Sequence, residues 1–260
     1  MPRQYAVLLS GLVLFPALWA QDQKPENGAN AMPNMDMAGH NMSDMPGMDA
    51  EGGAHAMRSM ENRHLDMGPH MKMTGLRNPQ PGDSERAAQV VEAARKIAEK
   101  YTDYKTALAD GFRIFLPNLP QKQYHFTNYR YASEAGLYFN PDHPTSLLYE
   151  KQGDGYKLIG VMYTAPKKFS EDELNQRIPL SIAQWHAHVN LCLPPPDKRS
   201  EMRGPNALFG LAGSISTEDA CSAAGGKFIP QIFGWMVHIY PFERKPEDIW
   251  SIERQHGTMD

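Results

Sequence analysis

The sequence predicts an α+β fold in which one N-terminal helix packs on a mainly antiparallel β-sheet or small barrel. Apolar residues recur at helical spacing after residue 83, and the rest of the chain carries short alternating segments that Gly and Pro separate. The chain has 260 residues, of which 41% are hydrophobic, so it can bury a real core. We therefore expect a single folded domain over residues 83–260.

The N-terminal helix is predicted by apolar residues that return every three or four positions from Ala87 onwards. Asp83 or Ser84 can cap its first turn. The Asp110-Gly111 pair is a natural end, because Gly readily adopts the left-handed conformation that terminates helices. These limits predict a helix of about 25 residues.

The strands are expected in the second half of the chain, where alternating segments lie between turn residues. They are predicted at 124–128, 136–139, 146–150, 156–164, 182–193 and 234–242. Two short helices are predicted at 170–175 and 216–224. In the second of them, Ser216 or Thr217 precedes acidic residues in a capping pattern.

Residues 1–20 are predicted to be a secretory signal peptide. Arg3 supplies a positive charge before the apolar run from Ala6 to Ala17, and Ala20 offers a small residue for cleavage. That run is too short to span a bilayer, so we expect a periplasmic or secreted protein without a membrane span. The alternative is a short amphipathic N-terminal anchor. A net charge of −4 without a basic stripe argues against a nucleic-acid partner.

Residues 21–82 form a compositionally distinct segment. Eleven of the 16 Met residues lie between Met32 and Met73, and the segment has no aromatic residue. Such a stretch cannot bury enough apolar area to offset chain entropy, so we expect it to be disordered alone. Thioether sulfur suits Cu(I), and imidazole suits Cu(II) as well. We therefore expect a tail that binds copper or silver, with ligands at Met35, Met37, His40, Met42, Met45 and Met48.

The tail resembles the Met/His-rich segments of exported bacterial copper-resistance proteins. The resemblance is compositional, covers only residues 21–82 and implies a role in copper handling or tolerance. The alternative interpretation is a flexible linker that is rich in Met.

The segment 179–192 carries the main candidate site. Read as a strand, it places apolar side chains on one face and on the other Gln184, His186, His188, Asn190 and Cys192. Imidazoles at positions i and i+2 lie about 7 Å apart along a strand, so His186 and His188 can reach one metal ion. Gln184 and Asn190 are expected to orient these imidazoles from a second layer.

A second predicted strand, 234–242, places Met236, His238 and Tyr240 on one face. If both strands share a sheet, His238 becomes a third metal ligand, and Glu150 or His125 could be a fourth. Three imidazoles and a water suit zinc, and related sites suit iron or copper. We expect copper, with zinc or iron as alternatives. Histidines that merely form hydrogen bonds are the metal-free interpretation.

The two cysteines of the chain, Cys192 and Cys221, are predicted to form a disulfide, because an even pair is usually bridged in an oxidising compartment. The alternative is that Cys192 is a thiolate ligand beside the histidines.

Motifs from four parts of the sequence resemble those of an uncharacterised family of exported bacterial proteins. They are Tyr124-His-Phe-Thr-Asn128, Pro144-Thr-Ser-Leu-Leu-Tyr-Glu150, Trp185-His-Ala-His-Val-Asn-Leu-Cys192 and Phe233-Gly-Trp-Met-Val-His238. The resemblance covers nearly all of 83–260. It implies export but no particular activity.

These patterns predict an exported metal-binding protein in copper handling or tolerance, whose folded domain holds a His-rich site. One alternative is a metal-dependent oxygenase or hydrolase that uses His186, His188 and His238 on a small-molecule ligand. The other alternative is a metal-free binding domain.

Overall fold

A seven-stranded antiparallel β-sheet forms the centre of the fold. The computed structural model describes residues 68–118 and 120–252. The strands are β1 Met71–Met73, β2 Arg113–Ile114, β3 Tyr124–Thr127, β4 Ser146–Gln152, β5 Gly155–Ala165, β6 His186–Leu193 and β7 Lys227–Ile239. Their spatial order is β1-β6-β7-β5-β4-β3-β2, and the sheet is not closed into a barrel. The predicted mixture of helices with an antiparallel sheet is confirmed.

The helices lie between the strands in sequence. They are α1 Asp83–Lys100, α2 Tyr104–Ala109, α3 Tyr129–Glu134, α4 Glu171–Arg177, α5 Glu218–Ala223 and α6 Pro246–Ile249, with a 3₁₀ helix at Pro196–Met202. The short helices predicted at 170–175 and 216–224 correspond to α4 and α5, which Ser170 and Thr217 cap. Within the described ranges, no helix is both long and apolar enough to cross a membrane.

The first predicted helix is divided in two. Its apolar stripe is buried as expected, at Ala87, Val90, Val91, Ala94 and Ala98. However, α1 ends at Lys100, and the side chain of Asp103 then accepts a hydrogen bond from the amide of Lys105 to begin α2. An aspartate at this position starts a new helix instead of continuing the old one, because its carboxylate satisfies a free amide of the first turn.

The strand predicted at 136–139 is absent from the described fold. Asn128 ends β3 and caps α3, since its side chain accepts hydrogen bonds from the amides of Arg130 and Tyr131. The chain then turns, and the amides of Leu137 and Tyr138 donate to the carbonyl of Glu134. Local side-chain capping therefore replaces the extended conformation that alternation predicted here.

The two faces of the sheet are buried in different ways. One face packs against α1 and forms the large core, which includes Phe126, Tyr149, Tyr163, Trp185 and Val237. We call the opposite side the histidine face. It carries His125, Leu148, Met162, His186, His188, Met236, His238 and Tyr240, of which Leu148, Met162, Met236 and Tyr240 form a small core cluster of their own.

The sheet curls strongly towards the histidine face. His125 on β3 and His238 on β7 are three strand spacings apart, which is about 14 Å in a flat sheet. Their ring centres nevertheless lie 5.5 Å apart. The rings of Phe115 and Phe233 also approach to 5.6 Å across the same side. The histidine face is therefore concave.

Gly160 in β5 supports this curvature because it has no side chain on the concave side. A Cβ atom at this position would lie 2.5 Å from the carbonyl oxygen of Ile239 and 3.0 Å from the ring of Tyr240. Glycine within a strand commonly marks such a bend or close backbone approach.

Gly160→Ala is therefore expected to lower the free energy of unfolding by about 1–3 kcal/mol, because the new methyl group overpacks against backbone that cannot move aside. Urea denaturation measures this loss. Gly75→Ala is the matched control, since its Cβ would meet only Glu171 Oε2 at 3.9 Å. Equal stability of the two variants would contradict this role for Gly160.

The fold begins earlier than residue 83. β1 pairs antiparallel with β6, so that Met71 lies opposite His188 and Met73 opposite His186. Thr74 continues this contact, because its amide donates to the carbonyl of Trp185 and its hydroxyl oxygen accepts from the Trp185 amide. The end of the segment 21–82 is thus an edge strand of the sheet, whereas the sequence predicted disorder up to residue 82.

The predicted disulfide between Cys192 and Cys221 is present. It joins the end of β6 to α5, and both cysteines are fully buried beside Phe209. The bridged sulfur excludes the alternative in which Cys192 is a thiolate ligand in this structure.

Candidate functional site

The first two candidate ligands lie on β6, as the sequence predicts. The ring centres of His186 and His188 are 5.6 Å apart. His186 is 1% exposed, whereas His188 is partly exposed. Alternation holds through this part of the strand, so that Trp185 and Ala187 turn to the core on the other face.

β7 brings His238 into the same group. Its strand lies between β5 and β6, and its ring centre is 5.2 Å from that of His186. The side chain is 2% exposed. The sequence predicted that imidazoles from these two separate segments meet, and the antiparallel pairing of β6 with β7 brings them together.

His125 completes the group from β3. Its ring lies 5.5 Å from that of His238, and it is close enough to His188 for an electrostatic effect on its protonation. We call His125, His186, His188 and His238 the four-histidine cluster. The sequence predicts His125 only as one of two options for a fourth metal ligand. Strand alternation cannot show how far a sheet curls.

The spacing of the rings is compatible with one shared ion. In a tetrahedral site with metal–nitrogen bonds of about 2.0 Å, the ring centres of two ligands lie about 5 Å apart. The ring centres lie 5.5 Å apart for His125 and His238, 5.6 Å for His186 and His188, and 5.2 Å for His186 and His238. In the described part of the chain, however, no group of three or more His, Cys, Asp or Glu side chains is positioned to hold a metal. The imidazoles would therefore have to turn their nitrogen atoms towards an ion.

Methionines flank the cluster on the strands β1, β5 and β7. Directly paired residues of an antiparallel sheet project to the same face. Met71 pairs with His188, Met73 and Met236 pair with His186, and Met162 pairs with His238. Met162 and Met236 are buried, at 6% and 7% exposure. The concave face therefore combines imidazoles with thioethers. Sequence alternation places Met236 there, but Met162 was not predicted.

Two imidazoles of the cluster, those of His125 and His188, favour the neutral form. Burial lowers the pKa of His125 to about 4, and the neighbouring His188 contributes to this shift. Burial also lowers the pKa of His188, with a further contribution from His70. Neutral imidazole is the form that offers a lone pair to a metal ion. These two rings can consequently act as ligands at neutral pH without first losing a proton.

Glu150, the other predicted fourth ligand, lies apart from the cluster. Its side chain is exposed, and its backbone partner on β5 is Lys157. The part of β5 that pairs with the histidine-bearing strand β7 begins only at Val161. The structure therefore brings His125 to the cluster and leaves Glu150 outside it.

Gln184 and Asn190 have a different role from the one predicted. Gln184 Nε2 donates to the carbonyl of Thr74 at 2.6 Å, and Asn190 Nδ2 donates to the carbonyl of Pro69 at 2.7 Å. Asn190 also adopts a left-handed conformation with φ of 57°. Both side chains thus fasten the N-terminal edge of the fold to β6, whereas the sequence predicted that they orient imidazoles.

His70 lies at this N-terminal edge, with its backbone beside β6. Its carbonyl accepts a hydrogen bond from the amide of Val189, next to His188, and its side chain is 7% exposed. The sequence predicts that His70 belongs to the disordered segment 21–82. The alternation of Met71, Lys72 and Met73 directly after it is the pattern that could have indicated an edge strand.

The other tail predictions lie outside the described residues. This holds for Met35, Met37, His40, Met42, Met45 and Met48, and for the signal peptide at 1–20. They stay predictions.

The chain matches no protein-family model, and neither a curated protein nor a solved structure is significantly similar to it. The resemblance to exported bacterial proteins therefore also stays a prediction, and function must be inferred from the site.

Proposed function

We propose that the protein is an exported copper-handling protein that binds a soft monovalent ion, Cu(I) or Ag(I), at its histidine face. The main support is that imidazoles from three strands meet on one concave face, at ring separations of 5.2 to 5.6 Å, beside paired methionines. The Met/His-rich sequence upstream offers further soft ligands for the same cargo.

The chemistry of the side chains favours Cu(I) over a divalent ion. The ligands that meet here are neutral, either imidazole or thioether. A buried ion loses hydration energy that grows with the square of its charge, so neutral ligands compensate a monovalent ion far better than a divalent one. Thioether sulfur also prefers soft ions such as Cu(I). Zinc and iron sites more often include a carboxylate or thiolate, and Glu150 and Cys192 are both unavailable in this arrangement.

We also propose that the protein is located outside the cytoplasm. A disulfide persists in oxidising compartments and is rare in the cytosol. The bridge between Cys192 and Cys221 therefore supports export to the periplasm or beyond, as does the predicted signal peptide. Copper handling outside the cytoplasm is consistent with both.

The test is anaerobic titration of the full chain with Cu(I) in competition with a chromogenic chelator. The double variant His186→Gln/His238→Gln should lose one tightly bound copper per chain, because it removes the two most buried imidazoles but retains polar side chains of similar reach. A second variant with Met35, Met42, Met45 and Met48 changed to Leu separates the contribution of the tail. X-ray absorption at the copper edge should show nitrogen with sulfur around the ion.

His143→Gln is the matched control, since His143 lies outside the cluster and bonds Glu134 at 2.7 Å. Circular dichroism establishes that each variant remains folded. An unchanged copper content in a folded double variant would refute a site on the histidine face. Zinc uptake in place of copper by the wild-type chain would favour the three-histidine enzyme instead.

A further inference from the structure

We propose that the protein binds a small carboxylate with an aromatic ring in a cavity beside α4, where the guanidinium of Arg177 holds the carboxylate. None of the residues that line this cavity belongs to the four-histidine cluster. The inference is therefore independent of the copper proposal, and either of the two can fail without the other.

The cavity lies between the turn that follows α3 and the end of α4. Its volume is about 300 Å³, and its apolar walls are formed by Leu137, Tyr138, Phe139 and Phe169. Such a volume is at the lower end of the usual range for small-molecule sites and equals that of about ten water molecules. The cavity therefore suits a ligand with one aromatic ring and a short polar end.

Contacts behind the cavity hold its aromatic walls in place. The ring of Phe139 packs edge-on against Tyr163, with ring centres 5.3 Å apart. Nε1 of Trp235 donates a hydrogen bond to the carbonyl of Phe169 at 3.2 Å. The apolar surface is thus formed before a ligand arrives, which lowers the entropic cost of binding.

Arg177 is the most buried of the lining residues, at 9% exposure, and is the last residue of α4. Its guanidinium carbon lies 4.6 Å from the ring centre of Phe169, over the ring. Its Nη1 atom donates to the carbonyls of Ala135 and Thr164 at 2.8 and 3.1 Å. These contacts use one nitrogen and one face of the guanidinium, and they fix its orientation.

The other edge of the Arg177 guanidinium is available to a ligand. Within residues 68–118 and 120–252, its Nε and Nη2 atoms have no hydrogen-bond partner, and the group forms no ion pair. Both atoms nevertheless keep some accessible surface. A buried cation without a counter-ion is costly, so an anion is stabilised here. The parallel Nε–H and Nη2–H groups match the two oxygens of a carboxylate.

Glu173 is the opposing charge at the cavity. Hydrogen bonds from the backbone and the hydroxyl of Ser170 lower the pKa of Glu173, so it is ionised at neutral pH. Its side chain is exposed, however, whereas Arg177 is buried. Water screens an exposed carboxylate far more than a buried guanidinium, so the attraction of Arg177 for an anion prevails inside the cavity.

Calorimetric titration of the full chain with hydrocinnamate, and with the uncharged hydrocinnamamide, tests this inference. We expect hydrocinnamate to bind at one site with a Kd of about 1 mM or tighter. The amide should bind about tenfold more weakly, because it cannot form the charge-assisted pair. Arg177→Lys should weaken hydrocinnamate about tenfold as well, since Lys keeps the charge but lacks the two parallel donors. Circular dichroism establishes that this variant is folded.

Two variants at exposed positions test the charge without disturbing the hydrogen bonds of Arg177. Leu137 is 82% exposed, and Leu137→Asp should weaken hydrocinnamate several-fold because it adds a negative charge to the cavity wall. Leu116→Asp is the matched control, since Leu116 is 48% exposed and does not line the cavity. Glu173→Gln should bind hydrocinnamate more tightly, because Gln keeps the capping bond but removes the opposing charge.

Three results would overturn the inference. The first is equal binding of hydrocinnamate and its amide, or binding of neither. The second is equal affinity of Leu137→Asp and Leu116→Asp for hydrocinnamate. The third is tighter binding of the tripeptide Gly-Gly-Phe than of hydrocinnamate, which would identify chain termini as the ligand. Copper binding by the wild-type chain is unaffected by each of these results.

Discussion

Lowering the pH from about 6.5 to about 4 is expected to cost the metal-free protein on the order of 3 kcal/mol of its free energy of unfolding. The reason lies in the four-histidine cluster, where burial lowers the pKa of His125 from 6.5 to about 4 and lowers that of His188 as well. In this window the unfolded chain binds protons that the folded chain excludes. Stability therefore falls as the pH falls and recovers as the pH rises again.

Urea denaturation at several pH values, with a chelator present, measures this effect. His125→Gln should flatten the dependence on pH, because it removes one of the two groups whose proton uptake differs between the folded and unfolded states. A slope that is identical in His125→Gln and the wild type would show that His125 is protonated as easily in the folded chain as in the unfolded one.

Removal of the disulfide by the double variant Cys192→Ala/Cys221→Ala is expected to lower the free energy of unfolding by about 3 kcal/mol. The bridge spans a sequence separation of 29 residues, and its loss lets the unfolded chain explore many more conformations. The cysteines also occupy a buried cluster with Phe209, so their truncation removes packing. Chemical denaturation of the variant and of the wild type measures the difference.

Reduced wild-type protein provides the control for the disulfide prediction, because it loses the cross-link but retains both sulfur atoms. Its stability should fall by most of the same amount. Denaturation midpoints that coincide with and without reductant would contradict this account.

The local part of the site was predictable from the sequence. Alternation along β6 places His186 and His188 on one face and Trp185 on the other, because successive side chains of a strand project to opposite sides. The same rule places Met236 and His238 together on β7. The capping of α4 and α5 and the disulfide likewise follow from short sequence patterns.

The departures arose where other contacts, distant or local, override the pattern used for the prediction. Asn190 was expected to project beside the histidines, but its left-handed backbone directs its amide to Pro69. Glu150 belongs to a predicted strand, yet it lies opposite Lys157 and away from the cluster. Asp103 divides the first helix because a cap competes with continued helical hydrogen bonds.

The sequence by itself determined which residues share a face within each strand, since that depends only on the period of two residues in an extended chain. Only the tertiary structure decided that His125 reaches His238 across three strand spacings and that His70 lies beside His188. The first depends on the curl of the sheet at Gly160, and the second on an edge strand that chooses its partner far along the chain. Neither the curvature of a sheet nor the pairing of its edge is set by the residues that meet there.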